Sequence, residues 1–218
     1  MGLKEIKARI HAAEAEAGRV EGSVELIAVS KVQPAMRVEA VLDQGQRIFG
    51  ENYVQEAQGK WPDWRERYPG VRLHMIGPLQ SNKAKVAARL FDVIHTLDRM
   101  SLARKLATAI EAQGYAPELF LQVNTGSEPQ KAGILPDELA GFMVQIRGLG
   151  LIPQGLMCIP PETEDARRHF RLLRELAQAE GLMRLSMGMS ADFETAIAEG
   201  ATHVRVGSAI FGARDYTR

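Results

Sequence analysis

Lys31 directly follows an apolar run, VELIAVS (24–30), which would place its ammonium at the carboxyl end of a buried strand. A lysine desolvated in such a place has a lowered pKa and can attack an aldehyde to form a Schiff base. A lysine that simply turns into solvent after the strand is the other reading. A second candidate chemistry lies in MRLSMGMSADFETAIAEG (183–200). A strand-like run ends there in Ser186, Gly188 and Ser190, and a helix follows from about Ala191. Exposed backbone N–H groups and hydroxyls at a helix start form a phosphate cradle. HVRVGSAIFG (203–212) repeats the arrangement, with a strand running into Gly207–Ser208 and a short helix or turn. Glycines that only permit tight turns give the same pattern. A strand-end lysine beside two such cradles points to a phosphate-bearing aldehyde. Arg205 stands two residues before Gly207 and shares its strand face, so it points inward if Gly207 does. A buried arginine needs a partner. A ligand ring nitrogen would serve, and so would a salt bridge to Asp98 or Glu51.

Other chemistries lack their residues. His11, His74, His95, His169 and His203 show neither HExxH nor another metal-ligand spacing. Neither GxGxxG nor GxxxxGK[ST] occurs. Cys158 ends an apolar run, and a buried inert thiol is expected there rather than a nucleophile. Trp61 and Trp64 flank Pro62 and are expected to pack an outer helix.

Eight short apolar runs must position these groups: 24–30, 46–52, 72–77, 92–98, 118–124, 152–159, 183–188 and 202–207. Runs of this length, apolar on both faces, read as parallel strands buried on both sides. Helical patterns alternate with them. A first helix covers about 3–17, and 35–43 follows Pro34. The segment 101–114 opens on an N-cap serine and ends at Gly114. Pro136 stands at the first position of 136–148, with Gly148 beyond its end. In 163–181, Phe170, Leu173, Leu176 and Ala177 share one face. Eight units of about 27 residues have the count and spacing of a (β/α)8 barrel, an α/β fold. An open doubly wound sheet also alternates strands and helices. In either, sites form at the carboxyl ends of the strands.

The whole chain has 218 residues, with 27 Lys plus Arg against 27 Asp plus Glu. One domain, 1–218, fits that length and can bury a core. Zero net charge argues against a nucleic-acid or anionic-membrane binder. The single Cys excludes an internal disulfide framework and fits a reducing compartment. Glu5, Glu14 and Glu16 interrupt the first apolar residues, so no signal peptide is read. Ile6 does not fit a myristoylation signal. No apolar run approaches the ~20 residues of a membrane span. The expected location is the cytoplasm.

The motifs AVSK (28–31), FGENYVQEA (49–57), HMIGPLQSNK (74–83), QVN (122–124), GLMCIP (155–160), LSMGMSADFETAI (185–197) and VRVGSAIFGARDY (204–216) follow one another along the chain. Together they resemble the pyridoxal phosphate homeostasis proteins, also known as proline synthetase co-transcribed homologues. The resemblance implies a single (β/α)8 TIM barrel similar to the N-terminal domain of alanine racemase. It implies that pyridoxal 5′-phosphate (PLP) is bound as an internal aldimine on Lys31. The family's phosphate loops match Ser186, Gly188 and Ser190, and Gly207–Ser208; position 208 is more often Thr in the family, and Ser keeps the hydroxyl. Arg205 matches the arginine that faces the pyridine nitrogen, and Asn52 of GENY matches a cofactor-side residue. Which of Ser186 and Ser190 touches the phosphate stays open.

Two classes of function stay open as well. One is a PLP-dependent enzyme such as an amino-acid racemase. The other is a carrier that maintains vitamin B6 and amino-acid balance. PLP enzymes that use the ring as a strong electron sink pair it with Asp or Glu, and an arginine weakens the sink. Alanine racemase works despite such an arginine by recruiting a tyrosine base from a second domain, which this chain is expected to lack. Tyr53, near a strand end, is expected to pack. These points favour the carrier, with PLP and PLP-accepting apo-enzymes as partners, and a monomer or weak dimer as its state.

Overall fold

The computed structural model describes residues 2–212. Eight strands close into a parallel barrel in chain order, each bonded to the next and β8 to β1. They are β1 (Glu25–Val29), β2 (Ile48–Glu51), β3 (Arg72–Met75), β4 (Val93–Leu97), β5 (Glu118–Gln122), β6 (Pro153–Met157), β7 (Arg184–Ser186) and β8 (His203–Val206). The open sheet is thereby excluded, because the pairs Ile27–Arg205 and Ala28–Val206 join the first strand to the last.

Helices return the chain between strands. They are α1 (Leu3–Glu16), α2 (Ala35–Asp43), α3 (Val54–Arg67), α4 (Ala84–Leu90), α5 (Met100–Gln113), α6 (Leu139–Gly148), α7 (Ala166–Ala179), α8 (Phe193–Ala198) and α9 (Ser208–Phe211). Several ends differ from the sequence reading. Ser101 lies inside α5, whose N-cap is Arg99. Gly114 does close that helix, at φ +76, where a side chain would be strained. Residues Pro136–Glu138 form a separate 3-10 turn, and Gly148 is the last residue of α6 rather than the one beyond it. Asp165 caps α7 by accepting the N–H of Arg167 at 3.0 Å, so that helix starts later than the apolar pattern suggests.

Strand residues alternate between two environments. Leu26, Ala28, Phe49, Leu73, Leu156 and Val204 face outward and join one continuous core beneath the helices. Trp61 of α3 is fully buried there, 4.9 Å from the Phe49 ring and 5.0 Å from that of Trp64. The inner face carries a small apolar set of Val93, Phe120 and Met157. Around it stack three histidines. His74 Nδ1 and His95 Nε2 are 3.0 Å apart, and His203 lies with its ring centroid 5.1 Å from that of Phe120. Burial drives His74 down to about 3 and His95 well below the usual histidine range, so both are neutral. Arg72 closes the amino end of the barrel, bridging Glu25 at 3.2 Å and Glu118 at 3.1 Å. Among the described residues no group of His, Cys, Asp and Glu could hold a metal, and no helix is long and apolar enough to cross a membrane.

Candidate functional site

Parallel strands all deliver their carboxyl ends to one mouth. Lys31 follows β1, and Asn52 follows β2. Ser186 ends β7, with Gly188 and Ser190 in the loop to α8. Arg205 lies in β8, and Gly207–Ser208 start α9. Because β7, β8, β1 and β2 are consecutive neighbours, residues from opposite ends of the sequence meet in one sector of that mouth.

Local chemistry fixes the loops on the β7–β8 side. Gly188 has φ +90, and a Cβ there would stand 2.5 Å from the Ala196 Cβ, so only glycine lets this loop lie against α8. At Gly207 a Cβ would meet the Val29 Cβ and carbonyl oxygen at 3.3 Å. Neither helix start is closed by its own side chain: Asp192 before α8 and Gly207 before α9 make no cap hydrogen bond. The first N–H groups of a helix have no intrahelical acceptor. Ser190 is half-buried and Ser208 exposed beside these two ends. The pair of uncapped starts with adjacent hydroxyls fits a phosphate.

Arg205 and Ser186 form the floor of this sector. Arg205 is buried, and its Nη1 donates to the Ser186 carbonyl and Oγ, both at 2.8 Å. Nη2 donates to the Cys158 carbonyl at 2.8 Å. One guanidinium therefore ties β8 to β7 and to the end of β6. The alternative salt bridge does not form: Asp98 pairs with Arg99 at 2.6 Å, and Glu51 accepts from Ser30 and Trp61. The planar fork has further N–H donors beyond the three in use, so the arginine still suits an acceptor in the mouth. Ser186 is fully buried and turned to Arg205, whereas Ser190 stands in the loop by α8. Of the two serines, Ser190 is therefore the one not engaged by Arg205. Cys158 is fully buried, and burial pushes its thiol up to about 12, which fits the inert reading.

The segment carrying Lys31 is held from β2 and α3. Ser30 Oγ donates to Glu51 Oε1 at 2.7 Å, and Trp61 Nε1 donates to the same oxygen at 3.1 Å. Burial of Glu51 pushes its carboxyl up to about 7. One residue past Lys31, Val32 has φ +58, a left-handed conformation that a β-branched residue rarely adopts. Its N–H donates to Glu56 Oε1 at 2.6 Å. Lys60 Nζ donates both to Glu56 and to the Gln33 carbonyl, the latter at 3.2 Å. Tyr53 is 56 % exposed, which corrects the expectation that it packs. It precedes α3 on the rim, where the chain leaves the barrel wall and offers no covering layer.

Residues 2–215 match the family described as alanine racemase, N-terminal domain. A pyridoxal phosphate homeostasis protein of Pseudomonas aeruginosa is 44% identical over 221 residues, covering 98% of this chain and 95% of that protein. The protein of the same name from Escherichia coli is 40% identical over 228 residues, covering 99% and 97%. The chain belongs to the pyridoxal phosphate homeostasis protein family. PipY of Synechococcus elongatus, solved with PLP bound, superposes with a TM-score of 0.80 at 39% identity, over 93% of this chain and all of that one.

Within this family fold, residues 33, 56 and 60 escaped the sequence reading, which attended to strand ends. A signal was present. Glu56 and Lys60 stand four apart, the spacing of a helical ion pair, immediately after the GENY motif. What the spacing could not show is that the pair faces the β1–α2 segment rather than solvent.

Ser190→Ala combined with Ser208→Ala is expected to weaken binding of PLP far more than binding of pyridoxal. A hydrogen bond to a charged group is worth roughly 1.5–3 kcal/mol, so the double change should cost tenfold or more. Titration of the double variant and the wild-type protein with both ligands checks this. Equal losses would mean that the serines only shape the loops.

Proposed function

We propose that this protein holds PLP in the β7–β8–β1–β2 sector of its barrel mouth, covalently through Lys31, and acts as a carrier in vitamin B6 and amino-acid homeostasis. The carrying observation is the convergence of Lys31, two uncapped helix starts and the Arg205 floor on four consecutive strands. The similarity to relatives named for PLP homeostasis, and to PipY solved with PLP bound, supports the same reading.

PLP supplies an aldehyde that condenses reversibly with a primary amine and releases water. Lys31 offers that amine. Gly188, Ser190, Gly207 and Ser208 offer N–H and hydroxyl donors to the phosphate, and Asn52 lines the β2 side. Arg205 offers N–H donors to the ring nitrogen while Ser186 fixes its orientation. A cationic donor there disfavours protonation of the ring and keeps it a poor electron sink. Exposed Val32, Tyr53 and Ser208 leave the rim open to water, which favours exchange of a reversibly held aldehyde over chemistry on it. The whole chain acts as one cofactor-binding domain in the cytoplasm, as a monomer or weak dimer, passing PLP to apo-enzymes.

On this reading the protein has no useful turnover on free amino acids. Holo-protein incubated with single L- and D-amino acids should show neither racemisation, decarboxylation nor transamination at an enzyme's pace. Turnover of about 1 per second or faster that disappears in Lys31→Ala would establish an enzyme instead.

A further inference from the structure

Lys31 lies between two residues that are each restrained by side chains from outside their own segment. Ser30 is anchored to Glu51, and Val32 to Glu56. Gln33 is fastened in turn by Lys60. Glu56 and Lys60 belong to α3, in the β/α unit after the one that carries Lys31, and they pair with each other.

The conformation of Val32 gives this arrangement meaning. A valine at φ +58 sits in a region where its branched Cβ crowds the backbone. Left to itself it would relax to negative φ, rotating the peptide plane that it shares with Lys31. The hydrogen bond from its N–H to the Glu56 carboxylate opposes that rotation at 2.6 Å. Lys60 holds the carboxylate in place and fixes the carbonyl of the next residue. Strain of this kind persists only where the surroundings over-determine it, and it collects at functional sites. Here it adjoins the residue that would have to present its amine along a defined line to an aldehyde.

We propose that Glu56 is a positioning residue for Lys31, holding Val32 in its left-handed conformation so that the Lys31 amine is aimed into the barrel mouth. The inference rests on the reading of Lys31 as the aldehyde-binding lysine. Glu56 acts on the lysine and not on the phosphate loops, so its removal should weaken capture of any aldehyde at this site, with or without a phosphate.

The test compares PLP and pyridoxal binding, followed by absorption, with thermal melting as a control. Mass mapping of the borohydride-reduced wild-type protein runs alongside. Glu56→Ala is expected to lower affinity for both ligands by a similar factor of about ten, the worth of a hydrogen bond to a charged group. Glu56→Gln keeps an acceptor for the Val32 N–H and should lose less than Glu56→Ala. Adding Val32→Asn to Glu56→Ala should recover much of the loss, because asparagine tolerates the left-handed region. If Glu56→Ala does not fold, Val32→Pro takes its place. It leaves Glu56 intact but removes the N–H and forbids positive φ, and it should cost both ligands tenfold or more. Unchanged affinity in the folded variant, or a loss confined to PLP, overturns the positioning role. Mapping of the label to a lysine other than Lys31 overturns the underlying reading instead.

Discussion

Replacing Lys31 with alanine is expected to abolish the absorption band of lysine-bound PLP while leaving the barrel folded. Position 31 lies two residues beyond the end of β1 and is half-buried rather than part of the core, so truncation leaves the barrel wall intact. The proposed phosphate donors beside α8 and α9 are untouched. The variant should therefore still retain some PLP, with the spectrum of the free aldehyde, and lose it quickly on dialysis. Borohydride should fix a phosphopyridoxyl group on Lys31 of the wild-type protein and fix none on the variant. Label found on another lysine, such as Lys83, would show that the amine at β1 is not the one used.

The second large effect is expected at Arg205. Its three hydrogen bonds cross from β8 to β7 and to the end of β6, and all lie in the buried interior. Arg205→Ala leaves the Ser186 and Cys158 carbonyls without these donors and opens a void. The expected cost is on the order of 3 kcal/mol or more, given about 1.5–3 kcal/mol for a hydrogen bond to a charged group. At roughly 2–4 °C per kcal/mol for a chain of this size, melting should fall by about 10 °C. Cofactor retention should fall as well, even at temperatures where the variant stays folded, because the ring would lose its donor. Arg205→Glu should favour a protonated ring, visible as a changed absorption maximum. Retention unchanged in folded Arg205→Ala would reduce this arginine to a brace between strands.

The two variants separate different links in the chain from sequence to function. Lys31 is proposed to carry the chemistry. Arg205 is expected to carry both chemistry and structure, because the carbonyls that orient it belong to the strand ends that form the mouth.

The alternation of eight strands and their helices was legible in the residues alone, and with it the end of the barrel where polar residues gather. It was legible because strands buried on both faces are predominantly apolar, so Ser30, Asn52, Ser186 and Gly207 stand out near the points where the chain leaves the wall, although the inner face also carries His74, His95, His203 and Arg205. The positions of Lys31, the two glycine-serine loops and Arg205 at strand ends were legible in the same way, since local composition at a strand end is readable without knowing which strands are neighbours. Closure belonged to the tertiary structure: the bonding of β1 to β8 is what sets the end of β1 against Gly207, where an added Cβ would meet Val29, and local composition does not say which strands are neighbours. The partners of Arg205 were equally hidden. A buried arginine demands acceptors, but main-chain carbonyls satisfy it as well as a carboxylate does, and every residue supplies one. The stacked histidines inside the barrel and the grip of Glu56 on Val32 were decided in the same way. Both depend on which face of a strand or helix turns toward which neighbour, a relation fixed by packing in three dimensions and not by spacing along the chain.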